Sequence, residues 1–387
     1  MDIYLDNAST TFPKPKLVAD SMYNFLTNIG GNSGRSNHSN SLKANRILYD
    51  TRESLANFFN FDCPANVIFT NNITTSLNTL LNGILKPGDH VITSSMEHNS
   101  VIRPLYQLKE QLNIEIDIVA ANIEGFINSN DILKSIKPNT KLVVLSQASN
   151  VTGSIQPIKE IGNICKLKGI FFILDSAQGA GVLKTDFKEM NLSALAFAGH
   201  KSLFGPQGIG GFIIDDNLNQ VCKPLIVGGT GSLSHSISQP DFLPDKFESG
   251  TLNIPGIVGL YEGINFINTE GLDSIYEHNK YLHSYFIKEL LNIDDITFYG
   301  DKTALNSTTC ISFNINNMDT SELSFELDNT YGIKNRSGLH CAPLAHETVG
   351  SYPSGSIRLS VSYFNKKSEL DYTLKAIYDI AKNRFKI

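Results

Sequence analysis

Short apolar runs recur along the first two-thirds of the chain, and polar segments with a helical period separate them. Val67-Ile68-Phe69-Thr70, His90 to Thr93, Ile114 to Val119, Leu142 to Ser146, Phe171 to Leu174 and Leu195 to Ala198 are such runs. Mostly apolar and short, they predict strands, and the Phe171–Leu174 run reads as one buried in a parallel sheet. Helices are expected between them at 76–84, 101–113, 129–136 and 158–168. Strand alternating with helix from residue 67 to 200 predicts an α/β domain built on a parallel sheet. Upstream, 3–7 reads as a short strand, and Pro13 and Pro15 set up a helix over 16–27. Leu48, Leu55, Phe58 and Phe59 mark one face of an amphipathic helix over 42–59.

Beyond Ile214 the pattern changes. Helices are expected at 254–268 and 272–291, half-exposed strands at 309–314 and 356–362, and a closing helix at 367–385. Three parts follow: a segment at 1–13 packing beside a small domain, a large domain over 14–256, and a smaller α+β domain over 257–387. The chain of 387 residues is long enough for two such domains.

Composition narrows the class. Hydrophobic residues make up 41% and charged residues 18%, ordinary for a globular protein, and the net charge is -6. That balance implies no attraction to nucleic acid or to an anionic membrane, and no apolar run is long enough to span a bilayer. Five scattered cysteines, with no charged-then-apolar leader, predict reduced thiols and a cytoplasmic protein.

The chemistry gathers just past the strands. Asp175 ends one apolar run, and Gly199-His200-Lys201 follows another, with Gly205, Gly208, Gly210 and Gly211 close behind. Ligands of open α/β sheets bind beyond the carboxyl ends of strands. An acid and a lysine presented this way suit pyridoxal phosphate (PLP), which needs a lysine to hold it and an acid to keep its ring nitrogen protonated. The alternative is a helix-capping Asp175 and a solvated Lys201. His98, Asn150 and Gln178 also fall just past strands. Thr74 and Thr75 stand at a helix N-terminus, either as part of a phosphate site or as an N-cap. The Gly30–Ser41 segment, with Arg35 and His38, has the composition of an irregular loop. His340, Cys341, His346 and Glu347 lie close enough in sequence to suggest a metal site, although no second cluster of ligand spacing accompanies them.

Together these stretches resemble the class V aminotransferases of PLP fold type I, and within them the cysteine desulfurases and selenocysteine lyases. The matching motifs include YLDNASTTFPKP, EHNS, DSAQ, GHKSLFGPQGIGG, FESGTLN, RSGLHCAPLAH and SIRLSVSYFN, and they span nearly the whole chain. The short RSGLHC loop is similar to that of the group II desulfurases. The resemblance implies that Lys201 holds PLP, Asp175 pairs with its ring nitrogen and His98 stacks on the ring. Gln178 and Asn150 would bond the ring oxygen or the substrate. Thr74, Thr75 and His200 would bind phosphate, with Thr251 reaching in from the neighbouring subunit of a homodimer. Arg358 would clamp the substrate carboxylate, with Arg336 and His38 on the substrate side. Cys341 would take sulfur from L-cysteine, aided by Arg336 and His340 as cations, and pass it to a sulfur-acceptor protein such as one of iron-sulfur cluster assembly. Selenocysteine or cysteine sulfinate as substrate, or another class V lyase or transaminase activity, remain alternatives. One position departs from the family: Ala198 stands where a hydroxyl residue is usual.

Overall fold

A computed structural model describes residues 2–33 and 38–383, so Arg35 lies outside the described residues. Strand β1 (Ile3–Tyr4) stands apart from the main sheet. That sheet contains β2 (Val67–Thr70), β3 (His90–Ser94), β4 (Glu115–Val119), β5 (Thr140–Ser146), β6 (Phe171–Asp175), β7 (Ala194–Ala198) and β8 (Gly210–Ile214), in the order β2-β8-β7-β6-β5-β3-β4. Its pairings are parallel except for β8, which runs antiparallel to both neighbours. The connection 199–209 has no crossover helix, so the chain turns straight back on itself. Gly211 makes that return fit. A Cβ there would lie 2.4 Å from the Ile68 carbonyl oxygen and 2.5 Å from the Phe197 ring.

The helices are α1 (Lys16–Asn24), α2 (Ser39–Phe58), α3 (Ile73–Ile84), α4 (Asn99–Leu112), α5 (Ser129–Lys134), α6 (Ile158–Lys168), α7 (Asp216–Val221), α8 (Ile254–Glu270), α9 (Leu272–Leu290), α10 (Thr320–Asn329), α11 (Pro343–Val349) and α12 (Lys367–Asn383). Alternate residues of β6 feed opposite faces of the sheet. Phe172 and Leu174 pack with α2, α6 and α8, while Ile173 packs with α3 and α4. Each such fully buried side chain contributes roughly 1.5–3 kcal/mol relative to exposure.

A third core joins residues far apart in sequence. Strands β9 (Ile296–Tyr299), β10 (Cys310–Ile315), β11 (Ile333–Lys334), β12 (Arg336–Gly338) and β13 (Ser356–Ser360) complete the set. β12-β13-β10-β9 form an antiparallel sheet, and β1 pairs in parallel with β11. Ile3 and Leu5 are buried there with Phe286, Phe313 and Leu359. The expected boundary at 256/257 falls inside α8, whose Ile257, Leu260, Ile264 and Ile267 are buried in the core of the seven-stranded sheet.

Several helices begin earlier than the apolar pattern predicts, because their first turns are polar. α3 starts at Ile73, and Asn72 caps it by accepting the Thr75 N–H at 2.9 Å. Neither Thr74 nor Thr75 is the cap. α4 starts at Asn99 with His98 as its cap, and α2 at Ser39 with His38 as its cap. The helix expected over 16–27 is α through Asn24 and continues as a π-helical turn over Phe25–Ile29.

Candidate active site

Strands β3, β5, β6 and β7 end along one edge of the sheet, and each is followed by a candidate residue. Asp175 closes β6 and is buried. Its Oδ1 accepts the Ala177 N–H at 2.9 Å, the turn contact expected of a capping aspartate. Burial raises its pKa, while that bond, the Lys201 charge and the Ser100 hydroxyl pull the other way. Lys201 stands in the turn after β7. Burial first, then the Arg358 and Arg336 charges, lower its pKa to about 8, against the raising effect of Asp175 and Cys310. Its amine is therefore far easier to deprotonate than an ordinary lysine.

His98 is neutral at physiological pH. Burial and then the charges of Lys201, Arg336, Arg358 and Arg103 lower its pKa to about 4. Its Nδ1 accepts the Ser100 N–H at 3.0 Å and lies 2.8 Å from the Ser100 hydroxyl. That leaves Nε2 to carry the ring proton.

A second group of residues comes from the small sheet. Arg358 on β13 is 1% exposed. Its Nη1 donates to the Asn150 carbonyl at 3.0 Å, and its Nη2 to Asp6 Oδ1 at 3.0 Å and Ser9 Oγ at 2.8 Å. Arg336 sits opposite it in register on β12 and donates to Ser9 Oγ at 3.1 Å and toward Cys341 Sγ at 3.7 Å. Cys341 is exposed, and all five cysteines are free.

His340 does not act as a cation. It is buried, its Nε2 meets the Ser356 carbonyl at 3.1 Å, and burial followed by the Arg358 charge pushes its pKa well below the usual value. Arg336 is thus the cation at the Cys341 thiol. The His340 and His346 rings lie 5.2 Å apart. Among the described residues no three His, Cys, Asp or Glu side chains are grouped to hold a metal ion.

Both candidate amides are engaged with backbone. Asn150 Nδ2 donates to the His340 carbonyl at 2.7 Å, and Gln178 Nε2 to the Ala8 carbonyl at 3.0 Å. His200 has a pKa lowered to about 4 by burial and the Lys201 and Lys14 charges, and its buried Nδ1 has no partner among the described residues. Thr75 and Thr251 of this one chain line a cavity of about 150 Å³ with Asn71 and Thr79. Thr74 is exposed on the first turn of α3. Ala198 is buried at the end of β7 and offers no hydroxyl there. His38 is exposed, and its ring Nδ1 accepts the Ser41 N–H at 3.2 Å, a local cap that does not join it to this group.

The chain matches the family model for class-V aminotransferases over residues 3–373. It belongs to that family. A probable cysteine desulfurase of Methanothermobacter thermautotrophicus is 33% identical over 385 residues, covering 98% of this chain and 94% of that protein. Another, from Borreliella burgdorferi, is 33% identical over 98% of this chain and 92% of its own length. The solved apo structure of a cysteine desulfurase from Thermococcus onnurineus superposes with a TM-score of 0.93 at 29% identity, covering 99% of this chain and 95% of that one. The α/β architecture with a mostly parallel sheet is that of these enzymes, and the class-V family implies PLP.

In this class-V aminotransferase the residues missed by sequence reasoning lie in 6–14. Thr10 Oγ1, the Thr11 N–H and Lys14 Nζ all donate to the carbonyl of His200, at 3.1, 3.2 and 2.6 Å. Burial lowers the pKa of Lys14 to about 7. The segment therefore touches the lysine turn, Gln178 and both arginines. Its polar, turn-rich composition signalled an irregular segment but not what it would cover. Glu97 was also missed. It is buried beneath the site and accepts from the Ser94 hydroxyl and from the Ser146 N–H and hydroxyl at 2.6–2.8 Å. No helix among the described residues is long and apolar enough to cross a membrane.

Proposed function

We propose that the protein is a PLP-dependent cysteine desulfurase that converts L-cysteine to L-alanine and collects the sulfur as a persulfide on Cys341. The observation that carries this is the meeting of two groups. The acid–lysine–imidazole set Asp175, Lys201 and His98 lies at the edge of the large sheet, and the small sheet brings Arg358, Arg336 and Cys341 against it.

These residues fit the cofactor. Asp175 would pair with its ring nitrogen, Lys201 would hold it, and neutral His98 would lie on its face. His200, with an unspent buried nitrogen, would meet the phosphate as an N–H donor. The first turn of α3, with Thr74 and Thr75, would supply further donors. When bound, PLP supplies an electron sink for the bonds at the substrate's Cα.

The chain's own residues do the rest. Arg358 binds the substrate carboxylate through its guanidinium, whose buried Nε has no partner among the described residues. The Lys201 amine, deprotonated above about pH 8, takes the Cα proton. Arg336, with Nη2 3.7 Å from the Cys341 sulfur, orients that sulfur for the transfer. In the transfer the substrate Cβ–S bond breaks and an S–S bond forms on Cys341. A proton replaces sulfur at Cβ, so cysteine plus thiol become alanine plus persulfide with no outside oxidant or reductant.

The finer assignments are part of the same proposal. The protein would work as a homodimer in the cytoplasm and hand its sulfur to an acceptor protein. Because Thr251 lies beside Thr75 in its own chain, it would complete the neighbour's site only where the dimer brings that cavity to the subunit boundary. Asn150 would turn its amide to the substrate or ring oxygen only on leaving the His340 carbonyl. The two-domain division would follow the two sheets, with the boundary beyond α8.

The test is to add L-cysteine to the yellow protein, quantify alanine, and look for persulfide on Cys341 by mass spectrometry. Stoichiometric persulfide with alanine is expected. Cys341→Ala should keep the visible cofactor band and lose cysteine desulfuration by about a thousandfold or more. Desulfuration at the wild-type rate in that variant would refute the role of Cys341.

A further inference from the structure

Arg336 and Arg358 face each other in register across the β12–β13 pair. Like charges placed opposite one another repel. The N-terminal segment meets them with a hydroxyl and a carboxylate. Ser9 Oγ accepts from Arg336 Nη1 at 3.1 Å and from Arg358 Nη2 at 2.8 Å, and it donates to Asp6 Oδ1 at 2.7 Å. Asp6 Oδ1 also pairs directly with Arg358 Nη2 at 3.0 Å. The Nε of Arg358 is buried and has no hydrogen-bond partner among the described residues. Two guanidiniums joined to one carboxylate leave one positive charge over, with an open donor beside it.

We infer that Asp6 is a specificity-determining residue. It holds the surplus charge at one and so favours a substrate that brings a single fixed anion, its α-carboxylate. The γ-group is then a neutral thiol, as in cysteine, in preference to a permanently anionic sulfinate. The inference rests on the reading of Arg358 as the carboxylate clamp. Asp6 lies next to the arginines on the N-terminal segment and acts through them by charge. A second substrate anion would have to share the one surplus charge with the first.

The test uses the PLP-loaded protein and two amino acids, L-alanine with one fixed anion and L-aspartate with two. Each is titrated by the change in visible absorbance, and the ratio of their dissociation constants is compared among variants. Asp6→Asn raises the surplus to two and should improve aspartate relative to alanine by about tenfold. Arg336→Met lowers the surplus and should shift the ratio the other way. The kcat/KM of cysteine sulfinate relative to cysteine should move in the same direction as aspartate. Ser9→Ala keeps every charge, so it should weaken both amino acids together and leave the ratio where it was, which a loosened fold around Asp6 would not imitate. A ratio unchanged in Asp6→Asn overturns the inference. If that variant does not fold, Arg336→Met decides, and an unchanged ratio there overturns it equally. If the wild type desulfurates cysteine and Arg358→Lys binds both amino acids as tightly as the wild type does, the clamp on which the inference stands is removed.

Discussion

The side-chain amide of Asn150 donates to the backbone carbonyl of His340 at 2.7 Å, and so ties the turn carrying Cys341 to the loop after β5. The next carbonyl, that of Cys341 itself, accepts the Asn99 N–H at 2.8 Å. His340 and Cys341 both stand at positive φ, +46° and +58°. Each such residue costs about 1–2 kcal/mol, and each hydrogen bond returns about 1 kcal/mol, so the two ties are what balance the turn. Asn150→Ala should loosen it. Alkylation of Cys341 by iodoacetamide should quicken about fivefold, the value of one such bond. An unchanged alkylation rate would mean that the turn is held by other contacts.

The lowered pKa of Lys201 sets a pH dependence on cofactor capture. Only the neutral amine can attack the aldehyde of PLP. Below about pH 8 the amine is protonated, so the rate at which the apo chain gains its visible band should fall about tenfold per pH unit, and it should level off above about 8. Stopped-flow absorbance measures this directly. A midpoint near the ordinary lysine value would show that burial does not act on Lys201 in solution.

Much of this site can be read from the sequence because the sheet leaves little freedom. Asp175, Lys201 and His98 each follow a short run of strand-forming residues, and parallel strands deliver their ends to one edge. The small-sheet residues are less legible. Nothing in local pattern places Arg358 against Asp6, since the contact spans 352 positions and depends on β1 finding β11. The state of His340 is also invisible in sequence. Beside Cys341 and Arg336 it reads as a cation, yet burial under Ser356 keeps it neutral. His38, expected by resemblance on the substrate side, caps α2 through its Nδ1, a local contact that sequence spacing does not reveal.

Glu97 gives stability a pH slope. Burial raises its pKa to about 7, with the Ser94 and Ser146 bonds pulling the other way. The folded state therefore holds this proton more tightly than the unfolded chain, whose glutamate titrates near 4.3. The sign follows: the stabilisation is full below the unfolded value and is lost as pH rises through about 7. Glu97→Gln should flatten the fall in urea-unfolding free energy between pH 5 and pH 7, by roughly 1.4 kcal/mol for each unit of pKa difference removed. Equal slopes in the two proteins would count against a proton on Glu97.

A buried ion pair helps to fix the loop that carries Thr251. Glu248 Oε2 meets Arg52 Nη2 at 2.6 Å, and its Oε1 accepts the Phe69 N–H at 2.7 Å. Glu248→Gln should cost about 3 kcal/mol, because the Arg52 charge would be left buried without its partner. Removing the exposed Lys134–Asp131 pair should cost less than about 0.5 kcal/mol. Urea midpoints of the two variants, compared side by side, separate these values.

The pairing of β1 with β11 also sets an order of events during synthesis. All seven strands of the large sheet have been made once residue 214 leaves the ribosome, and Asp175 and Lys201 with them. Arg358 and the partner strand for Ile3 come more than a hundred residues later. A growing chain can thus present an amine and an acid to the cofactor while it still lacks the guanidinium and the thiol. The half of the site that would receive PLP is synthesised before the half that would handle cysteine, so a chain that met its cofactor that early could not yet release sulfur from anything.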